Sequence, residues 1–234
     1  MKINILYQPL NKKECLRGWL LAPVYILLGL LLAVKHYTLF SLIALLFTVG
    51  AVFLMRDFFK KALENTSLLG NRIWIWPFFA TIFYLVLSTF VNDIFMLLEA
   101  PYFIYTDWGP ILYNIRAHVV SRQDWFWTCV LILVLVMPVL EELIFRQWIF
   151  SILYPKSKTL AIVTSVILYA AFHCIGFIGM LDPVHFGMFT AQYIFLGVFL
   201  CWMYCSNETI VSPILMHMLC NAIVARNAWT YINL

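Results

Sequence analysis

The chain has 234 residues, 64% of them hydrophobic and only 11% charged, with a mean hydropathy of +0.92. That composition excludes an ordinary soluble globular domain, in which about a quarter of residues are charged, and points to a chain embedded in a bilayer. The net charge of +4 needs no nucleic-acid partner to account for it.

A helix crosses ~30 Å of hydrocarbon with roughly 20 apolar residues. Apolar runs of that order occur at 17–34, 37–55, 73–98, 125–153, 159–180, 186–205 and 209–231. They predict an all-α fold, a polytopic transmembrane helical bundle of about seven spans, with residues 1–234 forming a single membrane domain. Residues 1–17 are mixed and polar and no small-residue cleavage site follows the first run, so the first span is expected to stay in place. Lys35 and His36 are the polar break between the first two runs. A tight hairpin there is the working assumption, and one long kinked element is the alternative. The segments 56–72 and 99–124 read as polar loops. Pro101, Trp108, Gly109 and Pro110 give the second the look of an external loop with interfacial aromatics.

Basic residues near span ends set the orientation. Lys2, Lys12, Lys13, Arg17, Arg56, Lys60, Lys61, Arg72, Lys156 and Lys158 fall on one side, against Lys35, Arg116, Arg122 and Arg226 on the other. The expectation is a multi-pass protein of the cell membrane with a cytoplasmic N-terminus. Most of the cysteines lie within apolar runs and read as buried free thiols. Cys201 and Cys205, four apart, lack the neighbouring ligands a zinc site would want.

Charge reappears where it is least expected, inside the fourth run, as Glu141, Glu142 and Arg146. An ionisable group at bilayer depth costs at least ~2.5–3.5 kcal/mol, which makes the pair of carboxylates a functional-site hypothesis. Depth can be estimated from the turn near Pro155. At 1.5 Å per residue, Glu141 and His173 each lie about 20 Å from that turn, on antiparallel neighbours. His217 and Asn221 lie about 12 and 18 Å into the last run, on one helix face. Three helices thus bring Glu141, Glu142, His173, His217 and Asn221 to similar depth. Glu142 and Arg146 are four apart in the favourable order for an ion pair, which leaves Glu141 without a local partner and a candidate general base. Pro138, one turn earlier, removes a backbone donor and opens room beside the glutamates.

The segments Glu141-Glu142-Leu143-Ile144-Phe145-Arg146, Tyr169-Ala170-Ala171-Phe172-His173 and His217-Met218-Leu219-Cys220-Asn221 resemble the three ordered motifs of the CAAX prenyl protease and bacteriocin-processing (CPBP, or Abi) family, which includes the type II CAAX prenyl endopeptidases. Tyr169 stands where the family usually has Phe. The resemblance covers residues 125–231, the catalytic core spans, while the N-terminal spans over 17–98 carry no recognised motif. It implies an intramembrane endopeptidase acting on a hydrophobic or lipid-anchored peptide, with uses that include peptide or bacteriocin processing and immunity. Glu141 would activate water with help from His173, His217 and Asn221 would stabilise the oxyanion, and Glu142 with Arg146 would organise the site. No cofactor is expected. Zinc held by Glu and His is the competing version, weighed down by the absence of a His-Glu-x-x-His element. Other classes compatible with the same residues are a structural ion-pair knot, a non-catalytic membrane regulator of a sensor kinase or transporter, and a proton or metal-ion relay.

Overall fold

The computed structural model describes residues 12–33, 37–97, 128, 130–175, 178, 181 and 183–233. Among them every regular element is a helix: α1 (Lys12–Ala33), α2 (Tyr37–Leu54), α3 (Arg56–Leu69), α4 (Arg72–Leu97), α5 over 132–153, α6 (Lys158–Cys174), α7 (Pro183–Asn207) and α8 (Val211–Asn233). The expected break at Lys35 and His36 and the expected loop over 99–124 lie outside the described residues.

Among the described residues, two or three helices reach membrane-spanning length. Two stretches, Arg72–Phe90 in α4 and Phe186–Asn207 in α7, are long and apolar enough to cross, and α2 with α3 makes a third only if a pair bent by 79° is counted as one span. The apolar parts of α1, α6 and α8 are shorter than the ~20 residues a full crossing takes. α6 ends at Cys174, inside the apolar run of 159–180. The surface nevertheless has the character of a lipid-facing one, with Leu46, Phe53, Phe83, Val86 and Ile167 more than half exposed while Glu142 and Arg146 are fully enclosed.

The segment after α2 is a helix rather than the expected polar loop. Phe58, Ala62, Asn65 and Leu69 recur at helical spacing and are buried, so a strongly charged stretch still carries one inward stripe. Its inner face grips the turn between α7 and α8. Asn65 donates from Nδ2 to the Glu208 carbonyl (2.8 Å), and the Thr209 hydroxyl donates to the Ala62 carbonyl (3.0 Å). Glu208 sits at φ 52°, a left-handed conformation uncommon outside glycine, and Asn65 holds that peptide in place. This turn sets where α8 begins, and α8 carries His217 and Asn221.

The motif-bearing helices form one cluster. α6 packs along α7, both α7 and α8 lean on α4, and α1 lies against the second half of α5. Two glycines allow the closest approaches. A Cβ on Gly18 would collide with the Trp148 indole, and one on Gly197 would press on Tyr169 and Val166 at 3.3 Å. The turn between α5 and α6 falls where the sequence places it. Ser157 caps α6, its hydroxyl accepting from the Leu160 amide at 3.3 Å.

Candidate active site

The site is organised by the irregular hydrogen bonding of α5. Its four stretches alternate: π-helix Ile132–Val136, α-helix Met137–Glu142, π-helix Leu143–Phe150 and α-helix Ser151–Leu153. Such widened turns occur mostly at functional sites. The cause of the first is legible around Pro138. The Met137 amide bonds to the Ile132 carbonyl, five residues back, and the next donor in that register would be the amide that Pro138 lacks. The Leu133 carbonyl is therefore left over, and Asn221 of α8 supplies its donor from Nδ2 at 3.2 Å. In the second widened stretch, Ser165 donates to the Phe145 carbonyl (2.9 Å) and Ser151 to the Arg146 carbonyl (3.3 Å).

Glu142 and Arg146 are completely buried and adjacent. Nε of Arg146 lies 3.2 Å from Oε2 of Glu142, in ion-pair reach but out of hydrogen-bond alignment, and an Arg146 terminal nitrogen donates to Oε1 at 3.3 Å. The guanidinium also donates to the Gly197 carbonyl (3.3 Å) and lies over the Tyr169 ring, 4.6 Å from its centroid. His217 completes the arrangement, its Nδ1 2.9 Å from Oε1 of Glu142. A carboxylate accepts only, so Nδ1 carries the proton, and in the neutral ring Nε2 accepts from the Tyr169 hydroxyl at 3.3 Å.

Glu141 faces the other way. Its Oε2 is buried without an aligned donor, yet the Nε2 atoms of His217 and His173 stand 3.5 and 3.6 Å away. His173 lies between the rings of Tyr169 and Tyr193, with centroids at 4.6 and 4.4 Å, and its buried Nδ1 has no hydrogen-bond partner among the described residues. Tyr25, from α1, is buried with its ring stacked on Phe172 at 4.3 Å.

Five of the expected residues, Glu141, Glu142, Arg146, His173 and His217, are joined by contacts, whereas Asn221 holds the Leu133 carbonyl, about two turns of α5 before Glu141. Two contributors escaped the sequence reading. The Tyr169 hydroxyl, treated as incidental to the Phe-to-Tyr change, reaches His217, and Tyr25 had no recognisable context. Among the described residues no group of three or more His, Cys, Asp or Glu is disposed to hold a metal ion. Glu142 is already engaged by Arg146 and His217.

Residues 123–223 match the family model described as type II CAAX prenyl endopeptidase Rce1-like. The match takes in all three motifs and leaves out α1 to α4. No curated protein and no solved structure matches the chain.

Proposed function

On the premise that residues 123–223 are of the type II CAAX prenyl endopeptidase Rce1-like family, we propose that the chain is a multi-pass intramembrane endopeptidase in which Glu141 is the general base. The observation that carries this reading is Oε2 of Glu141, without an aligned donor and beside two imidazoles, next to a carboxylate whose own Oε2 lies 3.2 Å from the Arg146 guanidinium. Glu141 takes a proton from water, and the water oxygen bonds to the scissile carbonyl carbon. The carbonyl oxygen becomes an oxyanion that accepts a hydrogen bond from the remaining Asn221 N–H, and from His217 once its Nε2 is protonated as well. When the carbon–nitrogen bond breaks, the proton held by Glu141 passes to the leaving amine. His173 orients the water and shares that proton. Glu142 and Arg146 keep the two histidine-bearing helices in register with α5.

A hydrophobic or lipid-anchored peptide is the favoured substrate. An apolar groove between α6 and α7, lined by Ile167, Ala170, Cys174, Phe186 and Ile194, begins one turn from His173 and suits an apolar chain. Processing of bacteriocin-like or signalling peptides, or immunity against them, belongs to this reading by analogy. The membrane is the cell membrane and the N-terminus cytoplasmic, as the basic residues suggest.

The test is incubation of the purified protein and its E141Q variant, in nanodiscs, with a farnesylated CAAX peptide and a hydrophobic leader peptide, read by mass spectrometry. Cleavage by the wild type alone supports the proposal. Equal cleavage by both removes Glu141 as the base, and absence of product from either favours a non-catalytic membrane regulator. Activity that survives chelation, without bound zinc, is the expected result for a glutamate mechanism.

A further inference from the structure

Helix α3 leaves α2 at a bend of 79°, and both arms of the bend line a cleft of 760 Å³. The wall is apolar, with Val49, Val52 and Phe53 from the last turns of α2 and Phe59 and Leu63 from α3. It continues the lipid-facing side of α2, where Leu46 and Phe53 are more than half exposed. The rim is basic. Arg56 and Lys60 border the cleft one turn apart on an exposed face of α3, and the Arg56 guanidinium lies over the Phe53 ring, 5.6 Å from its centroid. Asp57 stands 4.0 Å from Arg56, but both are more than 70% exposed, where such a pair contributes little. Glu64 borders the cleft one turn beyond Lys60, away from the bend. The angle is held from behind, since the opposite face of α3 bonds to the turn before α8 through Asn65 and the Ala62 carbonyl, and Thr66 meets the Thr209 hydroxyl at 3.0 Å. The cleft is therefore preformed.

We propose that the α2–α3 cleft is a binding site for an anionic phospholipid, its phosphate on Arg56 and Lys60 and an acyl chain along Val49, Phe53 and Leu63. A charged helix turned nearly at right angles to an apolar one lies at headgroup level, with its apolar flank towards the acyl region. Basic side chains at that level attract anionic lipids, and a guanidinium matches a phosphate with two parallel donors. A zwitterionic headgroup would bring its own cation beside Arg56 and Lys60, which selects for a headgroup of net negative charge. The cleft lies outside the matched segment and apart from the glutamate–histidine cluster, so the site is independent of any peptidase activity.

The test places the full chain in phosphatidylcholine nanodiscs containing a minor share of phosphatidylglycerol and counts the lipids retained on the released protein by native mass spectrometry. Wild type should retain phosphatidylglycerol about ten-fold above its share in the disc, the combined pull of two basic side chains. R56Q/K60Q changes exposed positions only, so Tm should hold while retention falls to that share. K156Q/K158Q removes the same charge from the exposed turn between α5 and α6 and should retain the lipid as wild type does. V49W puts an indole into the cleft from a side chain already 62% exposed, and it should lower retention with Arg56 and Lys60 in place. Retention unchanged in R56Q/K60Q overturns the proposal, as does an equal loss in K156Q/K158Q, which would reduce the effect to general surface charge. Retention unchanged in V49W overturns it too, by leaving the acyl chain no part. A wild type released as a dimer that V49W splits assigns the cleft to a second copy of the chain and likewise overturns it.

Discussion

Glu142 has aligned donors from Arg146 and His217 on Oε1 and the guanidinium 3.2 Å from Oε2, whereas Oε2 of Glu141, one residue earlier on the same helix, has two imidazoles at 3.5 and 3.6 Å. Both carboxylates are buried, so burial does not separate them. The number and closeness of their partners does. A carboxylate surrounded by a guanidinium and an imidazole N–H is fixed in place and can hold helices together. One with a free lone pair in a desolvated site is available for proton transfer. Adjacent residues of one helix point about 100° apart, so a consecutive pair can serve both purposes from a single turn.

Several substitutions would break or sharpen this contrast. E141Q removes the base and keeps the shape, and peptide cleavage is expected to fall by about 10³-fold with Tm unchanged, as measured by turnover and thermal unfolding of the same preparation. R146M should act in the opposite manner. It leaves Glu142 buried with one partner fewer, a loss of about 3–5 kcal/mol that thermal or denaturant unfolding in detergent would register. N221A strands the Leu133 carbonyl in the widened turn of α5, at about 1–3 kcal/mol, and its cost should shrink if Pro138 is replaced by alanine, which restores a backbone donor. That non-additivity is readable in a double-mutant cycle. Y169F, which takes only the hydroxyl from His217, should cost about 0.6 kcal/mol and leave cleavage within a few-fold of wild type.

The depth of the motif residues was legible because rise per residue is fixed and the turn at 154–157 is short. Glu141 and His173 could be matched by counting alone, and they stand 3.6 Å apart. The pairing of Glu142 with Arg146 follows equally from helical spacing. The widened turns of α5 were not legible, because hydropathy carries no information on whether an amide bonds four or five residues back. Pro138 announced a lost donor, yet only the folded chain shows that Asn221 supplies the replacement. The charges of α3 concealed its stripe of Phe58, Ala62, Asn65 and Leu69, so a helix read as a loop. Tyr25 was hidden for the converse reason. A tyrosine in an apolar run ordinarily packs with its ring, and nothing near it in sequence identifies Phe172, more than a hundred residues away, as the ring it stacks on.

The most direct test of the division between the two glutamates is to measure thermal unfolding and farnesylated-peptide cleavage for E141Q and E142Q side by side. The account predicts that E141Q unfolds with the wild type and cleaves about 10³-fold more slowly, while E142Q melts at a markedly lower temperature. An E141Q protein that cleaves at close to the wild-type rate, or an E142Q protein as stable as the wild type, would contradict it.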